Sequence, residues 1–91
     1  MLKVIPTKQF RKDVRLLTKS GVKDINKLTE VIKKIANEET LPYKFKDHQL
    51  KGNMSRFREC HIEPDWLLVY ELKKEFLVLS LVRTGSHNIV L

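Results

Sequence analysis

The three histidines of this 91-residue chain all lie in its C-terminal half, each beside other polar side chains. They are His48 in the segment 46–48, His61 in the segment 58–65 and His87 in the segment 83–87. Imidazole is the side chain best suited to moving protons near neutral pH, and a well-placed acid or base accelerates a reaction by about 10²–10⁴. A lone histidine is more often an ordinary surface residue. Three of them together with Asp65 favour acid–base chemistry.

The residues around the histidines do not form a metal-binding motif. His61 and Asp65 are four residues apart across an expected turn, and neither a cysteine pair nor a His-x-x-x-His pattern accompanies them. Cys60 is a poor candidate nucleophile, because alternation along a strand directs it away from His61. We therefore expect a site that works without a metal ion or a cofactor.

The single cysteine and the apolar runs bear on where the protein works. Cys60 has no partner for an intrachain disulfide, which is typical of small proteins in reducing compartments. The N-terminus lacks an apolar stretch of signal-peptide length, and the longest apolar runs, 66–70 and 76–79, are strand-sized. We expect a cytoplasmic protein without a membrane segment, formed by one domain over residues 1–91.

The net charge of +7 is concentrated near the N-terminus. Residues 1–20 contain six basic side chains and one acidic side chain, whereas residues 21–40 contain four of each. On a helix, five of the basic side chains share one face, namely Lys8, Arg11, Lys12, Arg15 and Lys19. A charged face is solvated by default, but this concentration favours a polyanionic partner such as nucleic acid, an anionic membrane surface or an acidic protein.

The apolar periodicity in the first half predicts a short strand followed by two helices. Leu2 and Val4 form the strand, which ends at Pro6. The first helix begins after Thr7, a suitable N-cap, and ends before Gly21. Asp24 caps the second helix, which ends in the run 38–42.

From residue 56 onward the period changes to two, which predicts strands at 56–62, 66–72 and 76–83. A turn joins the first pair and a tight hairpin at 73–75 joins the second pair, with a short strand or tail after Gly85. The order β-α-α-β-β-β predicts an α+β fold with two N-terminal helices packed on a twisted antiparallel sheet. If strands 56–62 and 76–83 are neighbours, the histidine segments converge on one face.

Three segments of the second half resemble motifs of RelE superfamily toxins of the YafQ branch. Residues 46–52, KDHQLKG, resemble the "DHxLxG" segment of these proteins, and residues 61–70 resemble their "HxxPDWxLxY" strand-turn-strand. Residues 83–87, RTGSH, resemble their "RTGxH" ending. The motifs occur in the family's order, and the predicted β-α-α-β-β-β order is similar as well, so the resemblance covers nearly the whole chain.

The resemblance implies a toxin of a type II toxin–antitoxin module that cleaves messenger RNA, usually on the ribosome, without a metal. It implies catalytic roles for His48, His61, Asp65 and His87, and an RNA contact for Trp66. It also implies an acidic antitoxin as partner. The toxin is then expected to be a monomer when alone and to form a heterooligomer with its antitoxin. One departure is the C-terminus, where Leu91 stands in place of the functional phenylalanine of this branch.

Metal-free RNA cleavage is chemically consistent with these residues. The ribose 2′-OH attacks the adjacent phosphate, which requires a base, an acid for the departing 5′-oxygen and positive charge around the phosphorus. We assign His87 as the general acid and His61 or Asp65 as the general base, and we expect His48 to orient the phosphate. Further contacts to RNA or phosphate are expected from basic side chains near the histidines, namely Lys46, Lys51, Arg58 and Arg83.

Two other classes of protein fit parts of the sequence. A non-catalytic RNA- or ribosome-binding module would use the histidines only to contact phosphate, and fold alone does not distinguish it from a nuclease. A DNA-binding regulator would use the two helices as a helix-turn-helix. The balanced charge and wide apolar stripe of the second helix disfavour that reading.

Overall fold

The computed structural model describes residues 1–21 and 24–90 and contains five strands and three α-helices within them. The strands are β1 (Lys3–Pro6), β2 (His48–Gln49), β3 (Arg58–Glu63), β4 (Trp66–Lys73) and β5 (Val78–Gly85). The helices are α1 (Lys8–Ser20), α2 (Ile25–Ala36) and α3 (His87–Val90). Short 3₁₀ turns at Tyr43–Phe45, Gly52–Met54 and Lys74–Phe76 complete the connections.

The predicted helix ends are confirmed at three positions. The Thr7 hydroxyl accepts a hydrogen bond from the Phe10 N–H at 3.1 Å, and Gly21 ends α1 in the left-handed conformation at φ 68°. The Asp24 carboxylate accepts from the Asn26 N–H at 3.0 Å and so caps α2. The two N-caps, Thr7 and Asp24, satisfy N–H groups that have no partner inside the helix, whereas the Gly21 N–H donates to the Thr18 carbonyl at the other end of α1.

The α+β prediction is confirmed, but the sheet is mixed rather than wholly antiparallel. Its strand order is β1-β5-β4-β3-β2, and β1 runs parallel to β5 while the other neighbours are antiparallel. Segments 56–62 and 76–83 are not neighbours, so that condition for convergence of the histidine segments is not met, because β4 lies between β3 and β5. Alternation of side chains specifies a strand and its faces, but it does not specify which strand is the neighbour.

Two connections differ from the prediction. The expected tight hairpin at 73–75 is a 3₁₀ turn, and Leu77 follows it in the left-handed conformation at φ 54°. The residues after Gly85 form the short helix α3 rather than a strand or tail. This helix packs against both β4 and β5.

The hydrophobic core lies between the helices and one face of the sheet. Cys60, Ile62, Trp66, Leu68, Tyr70, Leu79 and Leu81 contribute from the strands, and Phe10, Leu28, Val31 and Ile35 contribute from the helices. Leu67 and Val69 are also buried, although they lie outside this cluster. Among the described residues, no helix has the length and apolar character needed to span a bilayer.

Candidate active site

The sheet face opposite the helices carries two of the three histidines. His48 is paired with Glu59, Glu59 with Val69, and Val69 with Arg83, so that one row crosses four strands. In the adjacent row His61 is paired with Leu67. Directly paired residues direct their side chains to the same face, and this face alternates with the core residues of β3.

Glu59 lies between the two imidazoles and was not identified from the sequence. Its Oε1 atom is 3.6 Å from His48 Nε2 and 3.7 Å from His61 Nε2. The residue is 4% exposed, and its Oε2 atom is buried without a hydrogen-bond partner. The signal available in the sequence was its alternation with Cys60, which places Glu59 and His61 on one face.

Both imidazoles are oriented by backbone carbonyls on the side away from Glu59. His48 Nδ1 is 2.7 Å from the Lys46 carbonyl oxygen, and His61 Nδ1 is 3.3 Å from the Pro64 carbonyl oxygen. A carbonyl oxygen accepts a hydrogen bond from a protonated Nδ1, which assigns the lone pair of the neutral ring to Nε2. The two Nε2 atoms therefore present matching proton-accepting positions beside one carboxylate.

His87 is the first residue of α3, and its backbone is connected to the turn between β3 and β4. Its backbone N–H donates to Asp65 Oδ1 at 3.1 Å, while both side chains are exposed. Asp65 thus fixes the start of α3, and with it the position from which the His87 imidazole extends. One oxygen of the Asp65 carboxylate is thus engaged by a backbone hydrogen bond, and the catalytic role expected for this residue stays a prediction.

Arg83, expected to contact phosphate, forms a two-point ion pair with the buried Asp13 of α1. Arg83 Nε and Nη2 donate to the Asp13 carboxylate at 2.8 and 3.2 Å, and the Thr84 N–H donates to it at 3.1 Å. Burial alone would raise the pKa of Asp13, but the hydrogen bonds from Arg83, Thr84 and Gln9 outweigh it and lower that pKa. The guanidinium therefore joins α1 to β5.

Arg58, the second arginine expected to bind phosphate, is engaged on the core side of the sheet. Its Nη2 atom lies 3.1 Å from Asp47 Oδ2, and the Tyr70 hydroxyl donates to the other oxygen of Asp47. Burial and the nearby Asp47 raise the pKa of Tyr70. Since Asp47 directly precedes His48, Arg58 and Tyr70 fix the segment that presents this imidazole.

Trp66, expected to contact RNA, is a core residue with no exposed surface. Its Nε1 donates to Thr84 Oγ1 at 3.0 Å, and that hydroxyl donates to the Leu67 carbonyl at 2.8 Å. Its burial gives the ring a packing role, and the RNA contact stays a prediction. Cys60 is likewise buried, and burial raises the pKa of its thiol to about 12, which disfavours a nucleophilic role.

The remaining expected basic residues are exposed. Lys46 and Lys51 flank the short strand that carries His48, and the outward face of α1 exposes Lys8, Arg11, Lys12, Arg15 and Lys19. Leu91 lies outside the described residues. Within residues 1–21 and 24–90, no group of three or more His, Cys, Asp or Glu side chains has the arrangement to hold a metal ion.

A mixed sheet with two helices on one face and a histidine–carboxylate cluster on the other defines a RelE-like toxin of a type II toxin–antitoxin system. The model of the family described as "Bacterial toxin of type II toxin-antitoxin system, YafQ" matches residues 2–91. The chain belongs to this family.

Individual relatives agree with that assignment. The mRNA interferase toxin YafQ of Escherichia coli K12 is 41% identical over 80 residues, which cover 87% of this chain and 84% of the relative. The E. coli DinJ–YafQ complex has a TM-score of 0.87 at 37% identity, covering 99% of this chain and 98% of its counterpart. A metal-bound toxin from Helicobacter pylori has a TM-score of 0.93 at 46% identity, with both chains covered completely.

Proposed function

We propose that this toxin is an endoribonuclease that cleaves messenger RNA on the ribosome by metal-independent acid–base catalysis. The observation that carries the proposal is the pair of imidazoles, His48 and His61, whose Nε2 atoms flank the buried carboxylate of Glu59 on the sheet face opposite the core. An active site needs proton acceptors of fixed orientation, and the backbone contacts of both Nδ1 atoms supply that. The relatives named mRNA interferase have the same fold and family.

The reaction is an in-line transesterification. His61 accepts the proton of the ribose 2′-OH, whose oxygen attacks the adjacent phosphorus. The bond from phosphorus to the 5′-oxygen breaks as His87 donates a proton to that oxygen. The products are a 2′,3′-cyclic phosphate and a free 5′-hydroxyl. Asp65 is less suited than His61 to the role of base, because it already accepts the His87 N–H.

Positive charge for the phosphate comes from side chains that are not committed elsewhere. Arg58 and Arg83 are paired with Asp47 and Asp13, so they act by positioning. Lys46 and Lys51 are exposed beside β2, and His48 in its protonated form adds a third cation. A cation aimed at charge that develops in the transition state stabilises it more than it stabilises the substrate.

The antitoxin and the ribosome are proposed to meet the basic outer face of α1. Lys8, Arg11, Lys12, Arg15 and Lys19 form a continuous positive surface that complements an acidic antitoxin or ribosomal RNA. The toxin alone is proposed to be monomeric, with heterooligomers forming on antitoxin binding. If the substrate is messenger RNA on ribosomes, the toxin also acts in the cytoplasm.

A message with one 2′-deoxy sugar at the cleavage position tests the chemistry. It should bind the ribosome–toxin complex normally but resist cleavage, because the attacking 2′-OH is missing. The unmodified message should be cleaved in the presence of a chelator that spares the ribosome, and it should leave a 2′,3′-cyclic phosphate. Cleavage of the deoxy message at the normal rate would rule out the mechanism, since a metal-activated water does not need the 2′-OH.

The second candidate is a non-catalytic ribosome- or RNA-binding module. The exposed basic face of α1 is the observation that favours it. Such a module would bind programmed ribosomes and arrest translation while leaving the message intact. End-mapping of the message in the same reaction distinguishes the two functions.

A further inference from the structure

A cleft of about 570 Å³ lies beside the histidine site, between α2, the 3₁₀ turn Tyr43–Phe45 and the end of β3. Its volume is within the range of sites that hold small ligands or parts of larger ones, about 300–1,000 Å³. The side chains of two lining residues, His61 and Lys46, already have a role in the proposed mechanism. The remaining residues thus form a surface with no assigned role.

The cleft has an apolar floor and a basic rim. Val31 and Ile62 are buried in the floor, and the half-buried ring of Phe45 lies beside them. The rim contains four lysines, Lys27, Lys34, Lys44 and Lys46, against the two glutamates Glu30 and Glu63.

Three of the rim lysines are available to a ligand. Lys27 is paired with Glu63 at 2.8 Å, whereas Lys34, Lys44 and Lys46 have no salt bridge to any described carboxylate. An apolar floor beside available cations fits a ligand with a flat apolar part and a negative charge.

The segment Tyr43-Lys44-Phe45-Lys46 alternates aromatic and basic side chains. Tyr43 is 93% exposed, and the Lys44 ammonium group lies 5.2 Å from the centroid of the Phe45 ring. Aromatic rings interleaved with cations are typical of surfaces that bind single-stranded nucleic acid, since bases stack on the rings and phosphates contact the cations.

The cleft is continuous with the catalytic groups. His61 is one of its lining residues, and the backbone carbonyl of Lys46, another lining residue, contacts His48 Nδ1. A strand of RNA whose scissile phosphate lies between the two imidazoles therefore passes next to the cleft.

We propose that this cleft binds a nucleotide that flanks the scissile phosphate, with its base against Phe45 and its phosphate near Lys34 and Lys44. The proposal rests on the endoribonuclease function and adds a substrate-positioning subsite to it. RNA is favoured over an acidic antitoxin segment because the lining combines the Phe45 ring with lysines and because His61 is itself a lining residue. An antitoxin segment remains an outcome of the test.

A double-mutant cycle between protein and message tests the subsite. Phe45→Leu removes the ring but keeps an apolar side chain, and an abasic residue removes one base within two nucleotides of the cleavage position. Each change alone should slow single-turnover cleavage on programmed ribosomes by about tenfold, since stacking on an aromatic side chain is lost. At the position that occupies the cleft, the two changes together should slow cleavage no more than either alone.

The rim provides a second variant with a matched control. Lys34→Ala with Lys44→Ala should raise the toxin concentration needed for half-maximal cleavage by about tenfold. Lys33→Ala with Lys73→Ala removes the same charge from exposed positions away from the cleft and should change it by less than twofold. Thermal unfolding of every variant verifies that the fold is intact.

Binding to a non-cleavable message distinguishes failure of the subsite from failure of the nuclease function. The same cycle is measured as affinity for ribosomes programmed with a 2′-deoxy message. The subsite is ruled out if the unaltered toxin cleaves the message but the fold-reductions caused by Phe45→Leu and by the abasic residue multiply at every position tested. It is also ruled out if the rim variant weakens only the complex with the co-expressed antitoxin. If no message is cleaved, the nuclease function is ruled out. The non-additive effect of the two changes on affinity then still tests whether the subsite exists.

Discussion

The carboxylate of Glu59 is buried between two imidazoles and leaves one oxygen without a hydrogen bond. Burial of a carboxylate is costly unless cations and hydrogen bonds compensate for it. A nearby negative charge stabilises an imidazole that has accepted a proton, which is the state that a general base reaches during the reaction. We infer that Glu59 acts on the reaction through His48 and His61.

Glu59→Gln separates this role from a structural one. The amide keeps the shape of the side chain but removes its charge, so single-turnover cleavage should fall by about tenfold or more. Thermal stability should be unchanged or rise by a few degrees, because a buried neutral amide costs less than a buried carboxylate. Loss of stability without loss of cleavage rate would show that Glu59 serves only the fold.

His87→Ala tests the assigned general acid. The side chain is exposed, so its removal should leave the melting temperature within a few degrees while cleavage falls by roughly 10² or more. Asn88→Ala, at the neighbouring exposed position of α3, is the matched control and should retain nearly full activity. Equal activity of the two variants would remove His87 from the mechanism.

At the scale of elements, polar contacts inside the fold hold the parts of the site together. Asp47 with Arg58 and Tyr70 fixes the segment before His48, and Asp65 fixes the start of α3. The ion pair of Asp13 with Arg83 joins α1 to the end of β5. The short elements β2 and α3 have little packing of their own, so such contacts determine where their histidines lie.

Asp13→Asn should lower the stability of the fold by about 1–3 kcal/mol, since hydrogen bonds from Arg83 and Thr84 to a buried charge are weakened. The expected fall in melting temperature is roughly 5–15 °C. Asp24→Asn is the control, because asparagine caps a helix as well as aspartate does. A variant as stable as the control would contradict this role of Asp13.

The pH dependence of stability provides an independent measurement of the same contact. The pKa of folded Asp13 is lowered below the ordinary value of 3.8, so the charged pair stabilises the fold above that value. This contribution is lost as the pH falls through the lower folded pKa. The difference in melting temperature between the unaltered chain and Asp13→Asn should therefore shrink between pH 5 and pH 2. A constant difference would show that the charge of Asp13 is not responsible.

The basic face of α1 and the histidine–carboxylate cluster lie on opposite sides of the molecule. The basic side chains of α1 face outward from the helical layer, whereas His48, Glu59 and His61 lie on the opposite face of the sheet. Contacts made by α1 can thus change the encounter with a polyanion without touching the reacting groups. Long-range charge acts mainly on the rate of association and weakens as salt screens it.

Charge reversal on α1 should weaken binding to programmed ribosomes and leave the rate of the cleavage step unchanged. Arg11→Glu with Arg15→Glu should raise the toxin concentration for half-maximal cleavage on programmed ribosomes by about tenfold at low salt. The maximal single-turnover rate should stay within about twofold, and the effect should diminish as salt is raised. The control, Lys33→Glu with Lys73→Glu, changes the net charge equally away from α1. Equal effects of both pairs would indicate net charge rather than a specific surface.

Much of the fold follows from local sequence signals. Thr7, Gly21 and Asp24 mark helix ends because caps act on backbone groups a few residues away, and the change of apolar period marks the strands. The order of strands in the sheet, by contrast, depends on contacts between distant parts of the chain. The parallel pairing of β1 with β5 joins residues about 75 positions apart, and no local pattern encodes it.

The sequence by itself determined which residue types were available for chemistry, namely three histidines and Asp65, and the amphipathic α1. Only the tertiary structure decided which of them meet. It brought His48, Glu59 and His61 together, paired Arg58 with Asp47 and Arg83 with the buried Asp13, and placed Trp66 in the core. The physical reason is that side-chain type is local, whereas burial and ion pairing depend on strands and helices that are distant in the chain.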